Sequence, residues 1–281
     1  MKHLPLLAIA IAITACSSDD KSSLLTPNDT FTRDLTFTAS VPMSVTYEPM
    51  TRASLTDASL TDLWLLDYSD DGTLLQQVHQ TSTDAAFGTI PVTITYGHHD
   101  VLLIASRGDS PSLTTSAITW GKVKDTFTAT LSLDVAAGTP SSHTAQLQRA
   151  ISGLKVSMTD KIPSDAKTLR LTLGSRSQQL SLPSLSALPY GESSVEFAIS
   201  SAVGKSVEFT IYTLADADEW TSTASILALR ADGSVLTSFS LPDVSLRRNR
   251  LTTLTGEVFN RSSGFSITVD DQWEADNAMT F

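Results

Sequence analysis

The chain of 281 residues contains a single cysteine, Cys16. One cysteine excludes an intrachain disulfide, so the fold must rest on ordinary hydrophobic cores, which a chain of this length can bury. Basic residues are also scarce, with 19 Lys and Arg against 30 Asp and Glu and a net charge of −11. An acidic surface disfavours nucleic acid and anionic lipid as partners, because both carry negative charge themselves.

The sequence also has few signals for helices. The most apolar run, residues 4–15, is interrupted by Pro5 and is shorter than the roughly 20 residues that span a bilayer core. Long stretches of Glu, Lys and Ala are absent, whereas Ser and Thr are frequent. This composition favours strands and turns over helices.

Motifs for catalysis or metal binding are missing as well. The chain has neither a Gly-x-Ser-x-Gly motif nor a phosphate-binding glycine loop. Its one histidine pair, His98-His99, is a poor chelate, because adjacent strand residues point to opposite faces. Residues 67–72 resemble the start of a calcium loop, but Val78 stands where the bidentate Glu belongs. We therefore predict no enzyme, no metal and no cofactor, although the many carboxylates leave a glycosidase pair open.

Residues 4–16 have the pattern of a secretory signal that ends in cysteine. Lys2 provides the positive start, and the apolar run ends in Ala15-Cys16. The pattern resembles the lipobox of bacterial lipoproteins, in which the chain is cut before the cysteine and the thiol carries a lipid. It implies a signal peptide at 1–15, lipidation of Cys16 and attachment to the outer membrane, with an ordinary signal and a chance cysteine as the alternative. Residues 16–32 are a polar tether whose acidic start is similar to surface-export tethers of Bacteroidia.

Short strand signals separated by turn residues recur along the rest of the chain. Apolar and polar residues alternate in several segments, and Asp-Gly turns at 71–72 and 232–233 predict two hairpins. We predict an all-β fold with two tandem β-sandwich domains of transthyretin or immunoglobulin type, residues 33–144 and 145–281. Within them we expect one short helix in residues 113–123 and an exposed loop at residues 48–54.

Several segments, in order along nearly the whole chain, resemble fimbrillin-type proteins, the subunits and anchors of the type V pili of Bacteroidia. They are the lipobox at Cys16, residues 35–41 with 51–53, residues 65–72, residues 147–151, residues 246–252 and, more loosely, residues 269–273. The resemblance implies a structural protein of the cell surface and the fimbrium that serves adhesion. In this family a trypsin-like protease cuts after an arginine and removes the first strand. A strand from a neighbouring subunit, usually its C-terminal tail, then fills the groove.

The resemblance assigns these roles to particular residues. Arg52-Ala53 is the candidate cleavage site, because no Lys or Arg lies between Arg33 and Arg52 and a cut there frees the first strand whole. The displaced strand would carry Leu35, Phe37, Ala39 and Val41 inward. An edge position for this strand would support the mechanism and a central position would count against it. The alternative for Arg52 is an ordinary loop arginine.

The candidate donor strand carries Phe265, Ile267 and Val269, although it could equally be a strand of the protein's own second domain. The implied partners are other pilus subunits and, through Cys16, the outer membrane. An anchor of the family would keep its lipid and remain uncut.

A surface glycan-binding lipoprotein is the alternative function. A row of exposed, coplanar aromatic side chains would favour it, but Trp64 lies in an apolar run and is expected in the core. Trp120 and Trp220 lie near turns, and Trp273 lies among acidic residues.

Overall fold

The computed structural model describes residues 31–42, 52–53, 60–107, 111–188, 193–215, 217–260 and 266–270. These residues are almost entirely β-strands and turns, which confirms the prediction of an all-β fold. The one helix among them is the 3-10 turn Ser200–Ala202. In the same residues, no helix has the length and apolarity to span a membrane. All strands belong to the compact unit Thr32–Phe281.

The first half of this unit contains ten strands with long, often apolar segments. They are β1 (Thr32–Pro42), β2 (Arg52–Ala53), β3 (Asp62–Ser69), β4 (Leu74–Thr81), β5 (Thr89–Thr95), β6 (Gly97–Ser106), β7 (Ser112–Leu113), β8 (Ala117–Thr119), β9 (Thr126–Val135) and β10 (Ser142–Gln146).

The second half contributes the remaining strands of the described chain. They are β11 (Gln148–Arg149), β12 (Ile151–Met158), β13 (Thr168–Leu173), β14 (Gln179–Ser181), β15 (Ala187–Leu188), β16 (Ser193–Ala198), β17 (Glu208–Leu214), β18 (Glu219–Leu229), β19 (Val235–Arg247), β20 (Leu251–Gly256) and β21 (Ser266–Asp270).

Both predicted Asp-Gly hairpins are present. Gly72 and Gly233 have φ angles of 78° and 81°, which a residue without a Cβ adopts at little cost. In the first turn, Ser69 Oγ and the Thr73 N–H both donate to Asp71 Oδ1, at 2.5 and 3.1 Å. These hydrogen bonds, led by that from Ser69, hold the pKa of Asp71 below its ordinary value.

The first core lies between two sheets. One sheet has β1 between β5 and β10, with β2 paired to the end of β1. The other has the order β11-β9-β6-β3-β4. Alternating residues from both sheets fill the space between them, as in a β-sandwich.

The central strands β3 and β6 of the five-stranded sheet are buried on both faces. Leu63 and Leu65 of β3 face the first core, whereas Leu66 and Tyr68 face a separate third core. Burial on both faces explains why β3 and β6 read as continuous apolar runs instead of alternating ones.

The third core is covered by the small sheet β15-β14-β8-β7. Its strands come from both halves of the chain, and β14 pairs with β8 through Leu180 and Ile118. The prediction of a helix in residues 113–123 is therefore wrong. Ile118, Trp120 and Val123 are buried in the third core, which they reach from a short strand and the segment after it.

The second core lies between the sheets β17-β12-β20-β21 and β16-β13-β18-β19. Alternating Leu169, Leu171 and Leu173 of β13 are fully buried in it. The predicted division into two domains at residue 144 stays a prediction. Strand β10 runs across that position, and its Ala145 belongs to the first core.

Candidate functional site

Strand β1 is paired along both of its edges. Residues 32–38 run antiparallel to β5, and residues 36–40 run parallel to β10. Further backbone bonds join Thr36 N to Ser141 O (2.8 Å), Ala39 N to Gly88 O (2.9 Å) and Leu147 N to Ser40 O (2.8 Å). β1 is therefore a central strand, the position that counts against simple displacement.

The same arrangement gives β1 an unusual role in its sheet. Among the described residues, β5 pairs with no strand other than β1, and neither does β10. Taking β1 away would leave these two strands facing each other across a gap one strand wide. We call this gap, lined by β5 and β10 and occupied by β1, the β1 slot.

The inward side chains of β1 fill the first core. Leu35, Phe37, Ala39 and Val41 retain at most 5% of their exposure. The ring of Phe37 stacks on His143 of β10, with centroids 5.4 Å apart. An empty slot would expose these apolar pockets together with two rows of backbone donors and acceptors.

The β5 wall of the slot is held by bonds that do not involve β1. Gln76 Nε2 donates to Thr93 O at 3.2 Å, and Gln80 Nε2 donates to Thr89 O at 3.0 Å. Gln80 Oε1 also accepts the Gly88 N–H at 3.1 Å. These side chains come from β4 of the opposite sheet, so they hold β5 in place independently of β1.

A buried polar network supports the same wall. His99 Nδ1 lies 2.8 Å from Asp67 Oδ1, and both side chains are almost fully buried. Asp67 Oδ2 accepts from Gln76 Nε2 at 3.0 Å, and His99 Nε2 lies 3.3 Å from Thr95 Oγ1 of β5. The sequence did not indicate this network, because His98-His99 was weighed only as a metal chelate and the partner Asp67 lies on another strand.

His98 points to the opposite face, as expected for adjacent strand residues. Its Nδ1 lies 2.9 Å from Asp134 Oδ1 and its Nε2 lies 3.8 Å from Asp100 Oδ1. The hydrogen bond to Asp134 raises the pKa of His98 above its ordinary value, helped by the nearby negative charges. In the part of the chain that the structure describes, no group of three or more His, Cys, Asp or Glu side chains is arranged to hold a metal.

The candidate cleavage site lies beside the end of the slot. The backbone of Arg52 and Ala53 forms β2, which pairs with Pro42 and Val41 at the end of β1. The prediction of a loop is therefore wrong at these two residues. A protease would have to open this short pairing, because proteases bind their substrates as single extended strands.

The candidate donor segment is paired within its own chain. β21 runs antiparallel to β20 and forms the edge of its sheet. Ile267 is 46% exposed, and Val269 is half-buried. Phe265 lies outside the described residues, as do Cys16, the signal peptide and most of the tether.

The tryptophans form no exposed row in the described residues. Trp120 is fully buried, and Trp220 packs against the second core. Trp64 stacks on His79 with centroids 3.8 Å apart, and its inner side packs against the third core. Trp273 lies outside the described residues. The feature that would favour a glycan-binding function is therefore not observed in the described chain.

Two segments that carry the family resemblance meet beside the third core. Arg149 donates to both oxygens of Asp125, at 2.6 and 2.9 Å, and its guanidinium lies 4.9 Å from the ring centroid of Phe127. Arg149 Nη1 also donates to Asn249 Oδ1 at 3.1 Å, and Asn249 N donates to Ile151 O at 2.8 Å. These contacts tie the start of the second half to the basic turn after β19.

The comparisons with known proteins identify a family and a fold. Residues 114–280, more than half of the chain, match the family of unknown function DUF6562. No curated protein matches the sequence.

Several solved structures share the fold across most of their length. A candidate adhesin from Bacteroides ovatus has a TM-score of 0.54 at 12% identity, with 86% of this chain and 95% of that one covered. A candidate polysaccharide-binding protein (DUF1812) from Bacteroides thetaiotaomicron has a TM-score of 0.57 at 10% identity, with 85% and 96% covered. The fimbrial anchor protein Mfa2 from Porphyromonas gingivalis has a TM-score of 0.52 at 11% identity, with 86% and 98% covered. The chain therefore belongs to the DUF6562 family and has the β-sandwich fold of Bacteroidia fimbrial proteins.

Proposed function

We propose that this protein is a fimbrial subunit or a fimbrial anchor that assembles by donor-strand exchange and serves cell adhesion. The observation that carries the fimbrial part of the proposal is the β-sandwich fold shared with Bacteroidia fimbrial proteins. The central position of β1 counts against simple displacement, but β1 is also the strand that joins β5 to β10. A sheet joined by one strand becomes, without that strand, an acceptor with two backbone edges and a row of apolar pockets. Such an acceptor favours an extended peptide from another chain.

The lipid and the first strand lie on one fragment of the chain. Cys16 and β1 both precede Arg52, so a single cut after Arg52 separates both from the rest of the protein. The protein would reach the outer membrane through the lipid on Cys16 and leave it after the cut. An anchor would differ from a subunit only in cleavage: the chain would stay uncut after Arg52, so the lipid would stay attached.

The central position of β1 sets the conditions for exchange. Pairing on both edges and burial of Phe37 make spontaneous release slow, so a cut after Arg52 alone leaves the fragment bound. A donor strand must displace it progressively from one end. The Gln76 and Gln80 bonds keep β5 in place during this replacement.

β21 is the proposed donor. As an edge strand it pairs only with β20 in the described structure, and its exposed Ile267 contributes little to its own sheet. Its release therefore disturbs the second core less than the loss of any central strand would. The partners of this exchange are other pilus subunits.

Limited proteolysis tests the proposal. Trypsin should cut the folded full-length chain after Arg52, the fragment that contains β1 should be exchanged slowly, and oligomers should form on size-exclusion chromatography. The matched control is Arg52→Gln, which should stay uncut at this position and monomeric. Cleavage at Arg52 that leaves the protein monomeric at high concentration would overturn donor-strand assembly.

A further inference from the structure

The β1 slot has a distinct profile of large and small positions. Leu35 lies opposite Val92, and Phe37 lies opposite Ile90, so each of the first two inward positions holds a bulky side chain beside a bulky residue of β5. Val41, at the fourth position, lies opposite Ala53. The third position, Ala39, is the only small one of the four.

The residues beside Ala39 on the two neighbouring segments are also small. Ala39 lies opposite Ala145 of β10, and its N–H donates to the carbonyl of Gly88 just before β5. All three residues are buried, with Ala39 at 5% and Ala145 at 1% exposure. Ala39 and Ala145 belong to the first core, and because protein interiors are close-packed we expect core side chains to fill the space above them. A larger side chain at the position of Ala39 would overpack the core.

The chain's own C-terminal segment does not match this profile. Phe265, Ile267 and Val269 are three bulky residues at alternate positions of one segment. In either strand direction, a placement that puts all three into the slot brings one of them to the position of Ala39. If the segment is shifted so that one of the three bulky residues lies outside the slot, Arg261 or Asp271 takes an inward position instead. An unpaired charge buried there is strongly unfavourable.

We infer that the β1 slot of this protein accepts a strand from a different protein and rejects the tail of a second copy of this chain. The accepted strand carries apolar residues at four alternate positions: two large, then a small one such as Ala or Gly, then one of intermediate size. This inference rests on the proposed donor-strand function and adds the identity class of the partner. It implies that this chain joins a mixed assembly, with its own tail donated to another acceptor.

The tightness of the third position is testable without any exchange. Ala39→Ile in the uncut full-length chain should lower Tm by about 2–10 °C through overpacking, and Ala39→Val should lower it less. Thr38→Ile, on the outward face of the same strand, is the matched control and should change Tm by no more than about 2 °C. An Ala39→Ile protein as stable as the wild type would overturn the inference.

Peptide binding tests partner choice. The full-length chain is cut by trypsin, the protease is inhibited, and fluorescent peptides of residues 32–42, of the same segment with Ala39→Ile, and of residues 264–272 are added. The unmodified 32–42 peptide should bind best, the Ala39→Ile peptide at least about tenfold more weakly, and the 264–272 peptide most weakly.

The two kinds of failure differ. A 264–272 peptide that binds as tightly as the 32–42 peptide would overturn the inference and leave donor-strand exchange intact. A 32–42 peptide that never enters the cut protein would overturn the exchange itself, and this inference with it.

Discussion

Phe37 is the largest of the inward side chains of β1. Its ring is fully buried and stacks on His143. Phe37→Ala should lower the free energy of unfolding by about 3–5 kcal/mol, measured by urea denaturation. Thr38→Ala, on the opposite face of the strand, is the control and should cost less than about 1 kcal/mol. Equal losses in the two variants would contradict the assigned orientation of β1.

His98 gives a prediction of pH dependence. Its hydrogen bond to Asp134 raises the pKa in the folded state, so any stabilisation is complete below the unfolded pKa of about 6.5 and is lost as pH rises through the higher folded pKa. An NMR titration of His98 should therefore have its midpoint above 6.5. In Asp134→Asn the midpoint should fall toward the ordinary value. An unchanged midpoint in that variant would show that Asp134 is not the cause.

For single residues, the sequence predicted burial where the local pattern along the chain determines which way a side chain points. Alternation in residues 35–41 predicted which side chains of β1 face inward, because strand geometry fixes that pattern locally. The buried pair of His99 and Asp67 was not predictable, since its two members come from different strands and burial of a histidine leaves no local signal.

Among the elements, β5 is held by β4 as well as by β1. The double variant Gln76→Ala, Gln80→Ala removes the side-chain bonds to Thr93 O and Thr89 O. Amide protons of β5 should then exchange about tenfold faster, as expected for the loss of roughly 1–2 kcal/mol of local stability. Gln77→Ala, an exposed neighbour on the same strand, is the matched control for hydrogen-exchange mass spectrometry. Unchanged protection of β5 in the double variant would show that Gln76 and Gln80 do not hold β5 in place.

Most strands and both Asp-Gly hairpins could be predicted, because alternation and turn residues are local signals. The pairing of β1 with β10 could not, because the two strands are about a hundred residues apart and nothing in either segment specifies the partner. The same reason explains the helix wrongly expected in residues 113–123. Strand β8 acquires its structure from β14, far along the chain, while its own spacing of apolar residues is ambiguous.

For the whole molecule, Arg149 connects segments from the two halves. Arg149→Ala would leave the mostly buried Asp125 without its bidentate partner and remove the bond to Asn249. We expect a loss of about 3 kcal/mol in the free energy of unfolding. Arg170→Ala, which breaks an exposed pair with Glu196, is the matched control and should cost less than about 1 kcal/mol. Similar losses in Arg149→Ala and Arg170→Ala would show that the Arg149 contacts stabilise the fold no more than an exposed ion pair does.

The resemblance to fimbrillin-type proteins predicted the fold of the whole molecule, and the structural comparison confirms it at that level. The assembly mechanism was less predictable. Whether β1 lies at an edge or in the centre depends on how distant strands pair, and the structure places it in the centre. The proposed exchange would therefore have to replace β1 along both edges, so it can be tested by fixing β1 in place.

A disulfide lock across β1 and β5 tests whether assembly requires the release of β1. Asp34 and Thr93 are directly opposite, and Thr93 Oγ1 donates to Asp34 Oδ1 at 2.7 Å. Opposite residues in antiparallel strands have Cα atoms about 4.5–5.5 Å apart, within the range of a disulfide. The variant is Asp34→Cys, Thr93→Cys in a Cys16→Ser background, cut by trypsin after Arg52 and followed by size-exclusion chromatography. We expect monomers while the disulfide is oxidised and assembly after it is reduced, whereas equal behaviour in the two states would show that assembly does not need the release of β1.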